Sequence, residues 1–213
     1  MANVLPDLPY VALLEAAGVL VSAASGAVAA VRKQFDVFGI LVLAWVTGLG
    51  GGVLRDVLLG AVPPVGISDP WLVVAALAGG VLMYFGHPRL ERARRTVVVL
   101  DAGALALFTA VGTLKGLTLD ATPLAAIAVG VLTGVGGGVL RDLLTGEVPV
   151  VLHHRQLYAI PALVGATAMV VLWYADVTGP VVTAAVAAGV FGLRLVALRY
   201  RLSAPGPWRG GTR

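Results

Sequence analysis

Residues 47–60 read TGLGGGVLRDVLLG, and residues 133–146 read TGVGGGVLRDLLTG. Eleven of the fourteen positions are identical, at an offset of 86. The match continues outward at the same offset: Val62-Pro63 pairs with Val148-Pro149, Gly26 with Gly112, and Glu15 with Asp101. The chain is therefore built from an internal repeat, and each copy carries a triple glycine followed by Arg-Asp.

Both copies lie in apolar surroundings. Of 213 residues 59% are apolar, 12% are charged and 28 are glycine, with a mean hydropathy of +0.95. A soluble domain carries about 25% charged residues, so this chain cannot cover a water-facing surface. Its apolar residues come in long stretches, as a bilayer requires. Seven such stretches are bounded by charge, Pro or Gly: Pro9–Val31, Phe38–Leu59, Trp71–Phe85, Thr96–Leu114, Pro123–Thr145, Leu157–Tyr174 and Gly179–Leu198. The first repeat unit occupies 9–86, the second 95–176, a seventh span 179–201, and a Pro/Gly-rich basic tail 202–213, expected to be disordered near anionic lipid. The start lacks a basic n-region and a cleavage site, so no signal peptide is expected. The chain has no cysteine, which excludes disulfides and thiolate metal sites.

The loop charges orient the chain. Seven spans put Arg32, Lys33, Arg89, Arg92, Arg94, Arg95, Arg155 and the tail from Arg194 to Arg213 on one side, and only Lys115 on the other. The positive-inside rule then places the N-terminus outside and the C-terminus in the cytoplasm. These basic residues are topology signals, not a nucleic-acid surface. Three spans per unit is an odd number, so the second copy enters the membrane inverted. Inverted repeats recur in transport proteins, with the site near the midplane at their interface.

Three consecutive glycines cost a helix about 1 kcal/mol each relative to Ala. Gly48/Gly52 and Gly134/Gly138 also have the fourfold spacing that lets helices approach closely. One reading is therefore packing. The other is a kink or break at Gly50, Gly51, Gly52 and Gly136, Gly137, Gly138 whose freed carbonyls face a water-filled path. A glycine run longer than packing needs, present in both copies, favours the second.

Arg55, Asp56, Arg141 and Asp142 follow the glycines. An ionisable group inside a span costs at least about 2.5 kcal/mol near its centre, so it must face protein or water. Neighbours on a helix diverge by about 100 degrees, so each Arg is expected to find a partner other than the adjacent Asp. Glu15 lies 17 residues from Arg32, and Arg55 lies 19 from Asp36, at the same ends of their spans. Matching depth predicts the pairs Glu15–Arg55 and, by inversion, Asp101–Arg141. They can serve as staples between spans, as part of a permeation path, or both. Ser22 and Ser25 are hydroxyls available to a passing ion, although such groups also bond back to their own helix. Lys115 can screen the mouth or cap the fourth span, and capping is the reading its position favours.

Other chemistry is not supported. GLGGGV at 48–53 lacks the third glycine and the βαβ setting of a dinucleotide site. His153-His154 has no helical metal-ligand spacing and reads as loop. No span pairs a Ser with a nearby His, so no nucleophile is available for catalysis, and neither metal nor cofactor is expected.

The doubled TGxGGGVLRDxLxG resembles the bacterial branch of the trimeric intracellular cation (TRIC) channels, a domain also labelled as of glycine-transporter type. SGAVAAVRKQFDVFG at 25–39, DAGALALFTAVG at 101–112 and GEVPVVLHHRQLYA at 146–159 support the resemblance, which covers about residues 10–200. It implies a homotrimer with a pore in each protomer, lined by kinked second and fifth spans and by spans one and four. It also implies monovalent cations, potassium favoured, as permeant species and lipids at the trimer interfaces. The triple glycines would be the pore kinks, and Arg55, Asp56, Arg141 and Asp142 the adjoining polar elements. The expectation is an all-α membrane protein with seven transmembrane helices, two inverted three-helix repeats plus a seventh helix, in a bacterial inner membrane. Its expected function is cation conduction, with a secondary transporter of a small zwitterion such as glycine as the alternative.

Overall fold

A computed structural model of the chain describes residues 9–90, 94–152 and 157–202. The expectations for Arg92, His153-His154, Arg155 and the tail beyond 202 fall outside the described residues. The described residues form α1 (Pro9–Arg32), α2 (Val37–Leu58), α3 (Val65–Ser68), α4 (Pro70–Leu90), α5 (Arg94–Thr118), α6 (Pro123–Leu144), a 3-10 turn (Val150–Leu152), α7 (Ala159–Tyr174) and α8 (Pro180–Arg199). The protein is all-helical. Five helices, α1, α2, α5, α6 and α8, are long and apolar enough to cross a membrane, while α4 and α7 contribute shorter apolar segments.

The element ends repeat as the sequence does. Asp36 caps α2 by accepting from Gly39 N at 2.7 Å, and Thr122, 86 residues on, caps α6. Both caps satisfy N–H groups that a helix start leaves open. Past the other ends, Gly60 and Gly146 take φ of +69° and +71°. Glycine adopts this left-handed conformation without penalty, which suits it to end a helix. The short α3, absent from the sequence-based expectation, has the 3-10 turn as its counterpart.

Helices α1, α2, α5 and α6 form the centre; α4 packs on α1 and α2, α7 on α5 and α6, and α8 on α5 and α7. A Cβ built on Gly51 would stand 2.4 Å from Thr133 O, and one built on Gly137 would stand 2.2 Å from Thr47 O. The two contacts exchange under the offset of 86, as a two-fold axis requires. Residue numbers rise along one helix as they fall along the other, so α2 and α6 cross antiparallel. Gly26 against Thr47 Oγ1 and Gly112 against Thr133 Oγ1 repeat the exchange between α1 and α2 and between α5 and α6. The core is accordingly rich in small side chains, with Ala23, Ala27, Ala44 and Ala76 fully buried among larger residues such as Leu43, Leu105 and Phe108. Phe38, Trp71, Leu124 and Val181 are at least three-quarters exposed, which water penalises and lipid does not.

Of the kink or break expected at the motif, the break is not found. Helix α2 runs unbroken through Gly50, Gly51 and Gly52, and α6 through Gly136, Gly137 and Gly138. The glycines interrupt neither helix, and at Gly51, Gly136 and Gly137 the backbone of the crossing helix occupies the space that the missing side chain leaves. Their cost in helix propensity is offset by dispersion contacts between two backbones in near contact.

Candidate functional site

Each Arg-Asp pair is the centre of a buried ionic cluster. In the first, Arg55 Nη2 donates to Glu15 Oε1 at 2.7 Å, and Arg55 Nε to Asp56 Oδ1 at 2.8 Å. Lys115 Nζ lies 2.8 Å from the same Asp56 oxygen, and Asp56 Oδ2 accepts from Val65 N at 2.9 Å. In the second, Arg141 Nη1 donates to Asp101 Oδ1 and to Ser25 Oγ, each at 2.7 Å. Arg141 Nε and Nη2 both reach Asp142 Oδ1, and Asp142 Oδ2 accepts from Val150 N at 2.9 Å. The Glu15–Arg55 and Asp101–Arg141 pairs therefore form where matching depth put them.

The expectation that an arginine cannot reach its neighbouring aspartate is overturned. The Cβ vectors do diverge, but the arginine side chain is long enough to curl back over its own helix. Each Asp then joins three things: its Arg, the end of its helix and the turn that follows. Lys115 is also not a surface cap. It sits in the last turn of α5, only 5% exposed, with its ammonium on Asp56. Solvation by Asp56 offsets the cost of burying it. Ser22 and Ser25 are likewise engaged: Ser22 Oγ donates to Thr47 O at 2.9 Å, and Ser25 receives Arg141.

The two clusters differ in access. Arg55 and Asp56 are completely buried. The second cluster opens into a cavity of about 700 Å³ whose lining includes Arg32, Lys33, Asp101, Arg141, Asp142 and Arg194. At its rim Lys33 Nζ pairs with Glu147 Oε1, tying the end of α1 to the turn after α6. Both side chains are exposed, and the ammonium holds the Glu147 carboxyl below its ordinary range.

Two residues in this region escaped the sequence reading. Arg194, counted there with the cytoplasmic tail, is 1% exposed within α8. It donates from Nη1 to Leu157 O at 3.0 Å and lies over the Tyr158 ring, 4.8 Å from its centroid. Tyr158, buried at the start of α7, faces the Asp101 carboxylate. A signal for Arg194 was present, since apolar Leu195–Leu198 continue beyond it.

The chain matches the model of a family described as glycine transporter twice, over residues 12–88 and 98–174. Each match takes in one copy of the sequence repeat with its Arg-Asp pair, and together they cover most of the chain. It belongs to this family. Among its relatives, a UPF0126 membrane protein of Deinococcus radiodurans is 45% identical over 157 residues, 73% of each chain. The UPF0126 inner membrane protein YadS of Escherichia coli is 36% identical over 195 residues, 90% of this chain and 93% of YadS. A crystal structure of the TRIC trimeric intracellular cation channel orthologue from Rhodobacter sphaeroides is 38% identical, with a TM-score of 0.85 over 90% of this chain and 98% of that one. A second structure, described for conductance through TRIC cation channels, is 28% identical at a TM-score of 0.84, covering 94% of this chain and 98% of that one. The family member described here is thus a multi-pass integral membrane protein with the TRIC channel fold.

Proposed function

We propose that this chain is a cation channel of a bacterial inner membrane, permeable to potassium, with one path in each protomer of a homotrimer. The observation that carries the reading is the likeness to the Rhodobacter sphaeroides channel, which extends over nearly the whole of both chains. The path runs beside the antiparallel crossing of α2 and α6, past Gly50–Gly52 and Gly136–Gly138, from one ionic cluster to the other. The chain crosses the bilayer seven times, N-terminus outside, with the Lys115 cluster toward the outer face and the open cavity toward the cytoplasm. Lipids cover the exposed apolar faces and the trimer interfaces.

The deciding experiment is flux from purified protein in liposomes. A potassium gradient is expected to drive a current that does not saturate with concentration. Saturable uptake of glycine with counterflow, and no such current, would overturn the reading. That second reading, a carrier of a small zwitterion, is supported by the description of the family and by Arg55 Nη1, a buried donor with no partner among the described residues that suits a carboxylate.

The channel reading makes Lys115 a plug. Its ammonium occupies the place beside Asp56 that a hydrated cation must pass. Lys115→Ala is expected to raise potassium conductance several-fold in single-channel recordings. An unchanged conductance from well-folded protein would place the path elsewhere.

A further inference from the structure

The two clusters can be compared charge by charge, because the repeat aligns them. The first holds two carboxylates, Glu15 and Asp56, and two cations, Arg55 and Lys115. The repeat gives the second only Asp101, Asp142 and Arg141. The residue that the offset of 86 sets opposite Lys115 is Ala29, which lines the cavity. Arg141 is shared by both carboxylates, so the three residues carry one net negative charge, which burial penalises and for which the repeat supplies no second cation.

Helix α8, which lies outside the repeat, supplies one. Arg194 is buried, lines the same cavity as Asp101, Arg141 and Asp142, and stands on the face of the Tyr158 ring. Tyr158 in turn faces Asp101, and a Cβ at Gly138 would meet both the Tyr158 hydroxyl and the Asp101 carboxylate. Leu157 N also donates to Leu202 O just beyond α8, so the end of this helix is fastened to the segment that positions Tyr158. Lys33 and Glu147 balance each other at the rim, and Arg32 is exposed there.

We propose that Arg194 is the second cation of the second cluster and sets how strongly that half of the protein attracts a permeating cation. The assignment rests on the channel reading. Lys115 puts its ammonium directly on Asp56, whereas Arg194 stands on an aromatic ring and leaves the cavity beside Ala29 and Asp142 open. Charge balance is thereby met in both halves, and the cavity beside the second retains room for an ion. Arg194 acts as a positioning and field-setting residue: it orients Tyr158 toward Asp101 and offsets the one net negative charge that Asp101, Asp142 and Arg141 place beside the cavity, where a single charge changes the local ion concentration.

The test is recording from the full-length protein in planar bilayers under a potassium chloride gradient. Arg194→Gln is expected to raise conductance roughly two- to threefold and to move the reversal potential toward the potassium equilibrium value. Arg194→Lys is expected to keep both at the wild-type values. Ala29→Lys, which adds a third cation where the first half carries Lys115, is expected to lower conductance by a comparable factor and does not depend on the tolerance of α8 to substitution. Folded R194Q with unaltered conductance and reversal potential overturns the assignment, as does R194K behaving like R194Q or A29K behaving like wild type. If R194Q does not fold, R194K departing from the wild-type conductance and reversal potential, or A29K behaving like wild type, overturns the assignment. Wild-type protein that passes no cation overturns the channel reading itself, and this assignment with it.

Discussion

Gly137→Ala is expected to destabilise the protein by about 3 kcal/mol, at the upper end of the range for overpacking. An added methyl would stand 2.2 Å from Thr47 O. That obstacle is backbone in the middle of α2, so no rotamer change relieves the clash and the two central helices must part. Gly51→Ala is expected to behave alike, since its obstacle is Thr133 O at 2.4 Å. The effect is not shared by every helical glycine. A Cβ at Gly52 meets nothing nearer than 3.8 Å, and Gly189 and Gly192 of α8 have nothing within 4 Å. Alanine at those three positions is expected to be neutral or to stabilise by up to about 1 kcal/mol through helix propensity. Thermal unfolding in detergent, followed by loss of the monodisperse peak, ranks the five variants. If G137A and G51A match G189A, the crossing is not held by these glycines.

The second large effect concerns the buried charges. Arg55→Gln leaves the part-buried Glu15 and the buried Asp56 with Lys115 as the one remaining cation of their cluster. Breaking a buried pair from one side costs about 3–5 kcal/mol, because the partner keeps its charge and loses its solvation. Glu15→Gln alone is expected to cost less, since the Glu15 side chain is 13% exposed and Arg55 retains Asp56. The double variant E15Q/R55Q is expected to be more stable than the sum of the single losses implies, with a coupling energy of about 1–3 kcal/mol. Additive losses would mean that the two residues do not act on each other. Arg141 has a fuller set of partners, including Ser25 from the other repeat, so its loss also loosens α1 from α6.

Much of this was legible in the chain. The doubled TGxGGGVLRDxLxG exposed the duplication, and the odd number of spans expected in each copy predicts an inversion that agrees with the antiparallel crossing of α2 and α6. Depth counted from Arg32 and Asp36 named the partners of both motif arginines, because helices of equal pitch carry equal residue counts to equal heights. The matched caps Asp36 and Thr122 and the matched glycines Gly60 and Gly146 follow from local backbone chemistry and repeat with the sequence.

What was misread involves contacts between segments. The glycine runs suggest broken helices when judged by propensity along one helix; the structure shows continuous helices, since the compensating surface belongs to the helix across the two-fold. Arg55 and Arg141 reach their adjacent aspartates because tertiary burial removes water as a competitor and makes a curled side chain worth its lost rotamers. Lys115 looks like a helix-end cation until α5 is placed against α2, and Arg194 looks like part of a basic tail until α8 is packed on α5 and α7.

The sequence by itself determined residence in the membrane, the duplication, the inversion and the two central ion pairs, all of which follow from periodicity, composition and counting along a helix. Only the tertiary structure decided that the triple glycines are a crossing between unbroken helices, that Lys115 closes one cluster, and that the other opens into a cavity beneath Arg194. Those outcomes depend on which surfaces meet, and a side chain's charge or absence acquires its energy from the neighbour that burial supplies.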